Sequence, residues 1–103
     1  MHIFCNVNGL LERAVKYAQK LDISDANAEI NIYRLPPSFT QKGIIEHPRI
    51  FKGKKYLNIY IRLDSERYIT LAHEMIHAKQ ILEGREIDEN EAYALERTLD
   101  NDR

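Results

Sequence analysis

Leu57-Asn58-Ile59-Tyr60-Ile61-Arg62-Leu63 alternates apolar and polar side chains without a break, and beyond Asp64-Ser65 the period changes. From Tyr68 onward, Leu71, Ala72, Met75, Ile76, Ala78 and Leu82 recur at spacings of three and four until Gly84. A period of two sends successive residues to opposite faces of a strand, whereas a period of about 3.6 gathers them on one side of a helix. The chain therefore passes from a half-buried strand into a helix over residues 65–83. Asp64-Ser65 supplies the cap, and Gly84 takes the position after the last turn.

Working outward, Leu10, Leu11, Ala14, Ala18 and Leu21 describe an amphipathic helix between Asn8 and Leu21, with Glu12, Arg13, Lys16 and Lys20 between them and Asn8 as its N-cap. Ala28 to Leu35 alternates again and is stopped as a strand by Pro36-Pro37, which removes two ladder donors. Lys42 to His47 reads as a short second strand, with His47 held extended by Pro48. Lys52-Gly53-Lys54-Lys55 reads as a solvated turn, since no aromatic platform accompanies it. After Arg85-Glu86-Ile87, Asp88 caps a last helix carrying Ala92, Leu95 and Leu99. The order predicts an α+β fold: an N-terminal helix, a small sheet of about three strands, a central helix and a C-terminal helix.

The 103 residues are 44% hydrophobic and 30% charged, which suits one domain over residues 1–103 and a core too modest for heme or flavin. Fifteen Lys and Arg against sixteen Asp and Glu give a net charge of −1, which argues against nucleic acid as a partner. No stretch reaches membrane-spanning length, and the N-terminus lacks the basic flank and apolar run of a cleaved signal, so no membrane is expected. The single cysteine, Cys5, cannot form an internal disulfide, and the expected location is cytoplasmic.

His73-Glu74-Met75-Ile76-His77 is H-E-x-x-H, and it falls inside the central helix. Residues four apart on a helix stand about 40° apart and about 6 Å along the axis, so two imidazoles can converge on one metal. Glu74 then lies beside that metal, placed to accept a proton from water. The competing reading is a solvated helix face with a weak Glu–His pair. Uncharged Met75 and Ile76 between the histidines and a well-placed third donor oppose it.

A tetrahedral catalytic zinc takes three protein ligands and keeps a fourth position open. Glu91 stands four residues before Leu95 and eight before Leu99, on what reads as the inward stripe of the last helix, and is the candidate third ligand. Along the axes, the rise from His77 to Gly84 and the return from Asp88 to Glu91 leave an offset of a few ångströms, within reach of a glutamate side chain. Asp88-x-x-Glu91 is also a capping box, in which Glu91 would serve only the Asp88 amide. Asp88 and Glu89 are the substitutes, while Glu96, about 140° round the helix from Glu91, is set aside.

At these residues the chain resembles the gluzincin metallopeptidases, in which a His-Glu-x-x-His helix precedes a helix bearing a glutamate ligand. Thr70, Leu71, Met75, Ile76 and Ala78 match the wider pattern around the histidines, and Glu89-Asn90-Glu91-Ala92 looks like the glutamate helix, with Ala94 as a small packing residue. Size and element order look like the minigluzincins, with ImmA/IrrE-type and SprT-like peptidases the next comparison. The specific likeness covers residues 69–96. It implies His73, His77 and Glu91 as zinc ligands, Glu74 as general base, and a substrate peptide bound as an extended strand along a sheet edge, for which Lys42–His47 is the candidate. Lys79 and Leu95 depart from the pattern; Leu95 stands where some members carry an Asp that orients a histidine.

The expected activity is zinc-dependent hydrolysis of a peptide or protein substrate, with Tyr93, Tyr60 and His47 as candidate donors to the oxyanion. The alternative is a non-catalytic zinc-stabilised interaction module, in which the metal staples a small domain. Cys5 is weighed as a thiolate cap on the zinc against an ordinary small apolar residue, and the ordinary reading is preferred.

Overall fold

The computed structural model describes residues 1–101. Its elements in chain order are β1 (His2–Cys5), α1 (Leu11–Lys20), β2 (Ala28–Arg34), β3 (Gly43–Ile45), β4 (Arg49–Phe51), β5 (Lys54–Ile61), α2 (Arg67–Leu82) and α3 (Glu89–Asn101). The α+β class holds, but the sheet has five strands instead of about three. Its order is β1-β2-β5-β3, with β4 also paired to β5.

Both additional strands have a local cause. Lys52 (φ 51°) and Gly53 (φ 78°) form a two-residue turn of left-handed backbone, the geometry that suits a tight hairpin. It folds Arg49-Ile50-Phe51 back antiparallel onto Lys54-Lys55-Tyr56, so Lys54 and Lys55 belong to β5 and not to a loop. β1 pairs parallel with β2 and sets Ile3 beside Ile30 and Cys5 beside Ile32, extending the apolar face by one strand. β2 runs parallel to β5 from Ala28 opposite Lys55 to Arg34 opposite Ile61.

Alternation then decides the layers. Ile30, Ile32, Leu57, Ile59 and Ile61 are fully buried on one face, against Leu10, Ala14 and Tyr17 from the α1 side and Leu71, Met75 and Ile76 of α2. Burying such an aliphatic side chain stabilises the fold by about 1.5–3 kcal/mol. Asn31, Tyr33, Asn58 and Tyr60 stand half-buried on the other face.

Helix ends fix the site's position. α1 begins at Leu11, later than an Asn8 cap would allow, because Gly9 at φ 84° is outside helical geometry. α2 is capped at Glu66 instead of Asp64-Ser65, with no side-chain capping bond; Asp64 Oδ1 accepts the Glu66 amide hydrogen at 2.9 Å in the turn just before it. At the far end Gly84, φ 74°, donates to the Ile81 carbonyl and Arg85 to the Gln80 carbonyl, the paired closure of a left-handed C-terminal cap. The chain turns through residues 84–88, and α3 returns alongside α2. Tyr17 and Arg13 of α1 both donate to Asp100 Oδ1, at 2.5 and 2.8 Å, holding the distal end of α3.

Candidate metal centre

His73 and His77 stand one turn apart on α2, half-buried and buried respectively. Their Nε2 atoms are 3.1 Å apart. Glu89, the first residue of α3, brings Oε1 to 3.0 Å from His73 Nε2 and into close contact with His77 Nε2. One donor atom from each of the three lies within 4.8 Å of the others, and together they could hold a metal ion.

The second nitrogen of each imidazole is also engaged. His73 Nδ1 donates to Glu96 Oε1 at 3.1 Å, since a carboxylate can only accept. His77 Nδ1 donates to the Gln80 amide oxygen at 2.9 Å. A proton on each Nδ1 leaves each neutral imidazole with its Nε2 lone pair facing Glu89. Three acceptors at such separations need a proton or a cation between them. Partial burial pushes the Glu89 carboxyl upward, but the two imidazoles outweigh it and hold the group below its ordinary value.

Glu74 lies on the same helix and is only 5% exposed. Burial pushes its carboxyl up to about 7; His77 counters the shift and Glu89 and Glu96 add to it. A carboxylate tuned near neutrality can exchange protons with water at physiological pH. Glu74, His73 and His77 open onto a cleft of about 890 Å³, whose walls include β3, Ile69, Ile87 and Tyr93. β3 forms an end of the sheet, paired antiparallel to β5.

The two histidines and Glu74 come together as the motif requires, but Glu91 is turned elsewhere. Its carboxylate accepts from Arg85 Nη2 at 2.8 Å, from Arg85 Nη1 at 3.1 Å and from Gln80 Nε2 at 3.1 Å. The bound guanidinium holds it well down, at about 2. It belongs to a separate hollow with Lys79, Glu83 and Arg85. Nor does it complete a capping box: Asp88 Oδ1 accepts the Glu91 amide hydrogen, while the Asp88 amide donates to Gln80.

The inward column of α3 explains the difference. Ala92 and Leu99 are buried while Leu95 is 43% exposed, so the helix is rotated from the Glu91–Leu95–Leu99 stripe. Glu89, Ala92, Glu96 and Leu99 follow a spacing of three, four and three, which puts Glu89 and Glu96 toward α2. That spacing was available in the sequence, masked by Leu95. Glu96, one residue beyond Leu95, places a carboxylate against His73 Nδ1, a contact that Leu95 could not make.

Among the oxyanion candidates, Tyr93 and His47 line the cleft, and the Tyr93 ring centroid is 4.7 Å from that of His73. Tyr60 instead packs against Tyr33 across the outer sheet face, where the nearby Glu46 carboxylate raises its phenol. Cys5 sits in β1, at the opposite end of the sheet from β3, with its thiol donating to the Val7 carbonyl.

No family model, curated protein or solved structure matches the chain. Among the described residues, no helix is long and apolar enough to cross a membrane.

Proposed function

We propose that the protein is a zinc-dependent peptide hydrolase, with His73, His77 and Glu89 holding the metal and Glu74 acting as general base. One observation carries this reading: two imidazole nitrogens and a carboxylate converge beside a buried glutamate at the mouth of a cleft walled by a sheet-end strand. Two nitrogen donors and one oxygen suit zinc better than magnesium or calcium, which prefer all-oxygen sets. Tetrahedral zinc at about 2.0–2.1 Å from each ligand sets neighbouring donors about 3.3 Å apart; the His73–Glu89 and His73–His77 separations of 3.0 and 3.1 Å come near this, while the His77–Glu89 contact is tighter and would have to open to admit the ion.

Bound zinc would acidify water and polarise a peptide carbonyl. Glu74 takes a proton from the attacking water onto its carboxylate and hands it to the departing amine nitrogen. A substrate peptide lies extended beside β3, adding its backbone hydrogen bonds to the free side of that strand. Tyr93 or His47 donates to the carbonyl oxygen as its charge grows.

The test is cleavage of a mixed peptide library by zinc-loaded protein and by Glu74→Gln. The wild type should cleave, and the variant should retain zinc and lose nearly all turnover. Equal cleavage by both would remove Glu74 from its role. Zinc binding that stabilises both proteins while neither cleaves would favour a non-catalytic interaction module.

A further inference from the structure

Gln80 is fully buried, and its side-chain amide makes four hydrogen bonds. Its oxygen accepts from the Asp88 amide at 3.1 Å, and its nitrogen donates to the Asp88 carbonyl at 3.0 Å and to Glu91 Oε1 at 3.1 Å. The amide cannot be reversed: the Asp88 N–H offers only a donor, and the Asp88 carbonyl and Glu91 carboxylate offer only acceptors. Its oxygen is therefore the atom facing His77 Nδ1 at 2.9 Å, and that nitrogen must carry the hydrogen. The backbone carbonyl of Gln80 also accepts the Arg85 amide hydrogen, so one residue holds both ends of the 84–88 turn.

We infer that Gln80 is a positioning residue that couples the metal centre to the turn between α2 and α3. Through His77 it fixes which imidazole nitrogen is bare; through Asp88 it fixes where the adjacent Glu89 begins α3. Glu89 has a side chain 59% exposed and little packing of its own, so its placement depends on that turn. Metal capture and ordering of the turn become one step, each favouring the other. This rests on the assignment of His73, His77 and Glu89 as ligands, and it explains how an exposed glutamate can serve as one.

The experiment pairs wild type with Gln80→Met, which keeps the length and removes all four side-chain hydrogen bonds while leaving the backbone bond to Arg85. Long-range proton–nitrogen spectra of the metal-free wild type should show His77 as the Nδ1–H tautomer. In the variant, His77 should lose that preference while His73, held by Glu96, keeps its own. Zinc affinity should fall about ten- to a hundredfold, the range seen when groups behind metal ligands are removed. Zinc should slow hydrogen exchange at the Asp88 amide in the wild type and not in the variant. A folded variant with unchanged His77 tautomer and zinc affinity would overturn the inference. If the variant does not fold, an Nε2–H tautomer at His77 in the wild type, or an Asp88 amide that exchanges freely, would overturn it equally. A wild type that binds no zinc would defeat the ligand assignment, and the metal-free tautomer and exchange data would still decide the role of Gln80.

Discussion

Gly43 and Glu74 are in such close apposition that a Cβ on Gly43 would stand 2.7 Å from Glu74 Oε2 and 2.6 Å from Thr70 Cγ2. The first residue of β3 thus leaves the space that the Glu74 carboxylate occupies. Real Cβ atoms do not approach this closely, and Thr70, buried and β-branched, has little freedom to retreat. The sheet end and the helix are fitted to each other at Glu74, the residue proposed as general base.

Gly43→Ala should therefore displace Glu74 while leaving the histidines in place. Turnover should fall at least tenfold with zinc stoichiometry retained, and overpacking should destabilise the fold by about 1–3 kcal/mol. Peptide cleavage, zinc analysis and denaturant unfolding check this. An alanine variant with wild-type turnover would show that the apposition is not needed.

Chelated protein should show the elevated Glu74 carboxyl in its stability. Burial disfavours the anion, so the folded state holds the proton more tightly than the unfolded chain. The favourable contribution is complete below the ordinary value of 4.5 and is lost as pH rises through about 7. Glu74→Gln, which cannot ionise, should gain about 3 kcal/mol relative to wild type between pH 4.5 and pH 8. Parallel denaturation curves across that range would read it.

Glu89→Gln and Glu91→Gln should behave oppositely in competitive chelator titrations. The first should weaken zinc by more than the roughly ten- to hundredfold typical of groups behind the ligands, and the second should change it little. Glu96→Ala should fall inside that range, through a less well oriented His73. Loss on Glu91→Gln with retention on Glu89→Gln would restore Glu91 as the third ligand.

Tyr17→Phe should loosen the far end of α3. Its hydroxyl donates to Asp100 Oδ1 at 2.5 Å in a buried setting, and a hydrogen bond to a charged group contributes about 1.5–3 kcal/mol. Thermal unfolding of the variant should show a loss of that size, with zinc affinity nearly unchanged because Glu89 lies at the other end of the helix.

What the sequence disclosed follows how local each signal is. The switch from the strand beginning at Leu57 to the helix bearing His73 and His77 is written in contiguous periodicity, and the structure keeps it, although β5 ends at Ile61 and leaves Leu63 exposed beyond it. Gly84 at the helix end was legible for the same reason, since the left-handed backbone that closes a helix favours glycine. β4 was missed because its evidence was a two-residue turn of lysine and glycine instead of the more usual Asn-Gly, and β1 because four residues give too short an alternation. The rotation of α3 was misread because Leu95 suggests an inward face, whereas its exposure is settled by packing against α2. Gln80 and Gly43 carry no motif; their roles arise from distant residues meeting in space.

Zinc coordination measured by X-ray absorption on stoichiometrically loaded protein tests the central claim most directly. One zinc per chain should show scattering from two imidazoles plus a light oxygen ligand, and one imidazole should vanish in either His73→Ala or His77→Ala. A zinc site unaffected by those substitutions, or no stoichiometric binding at all, would contradict the account.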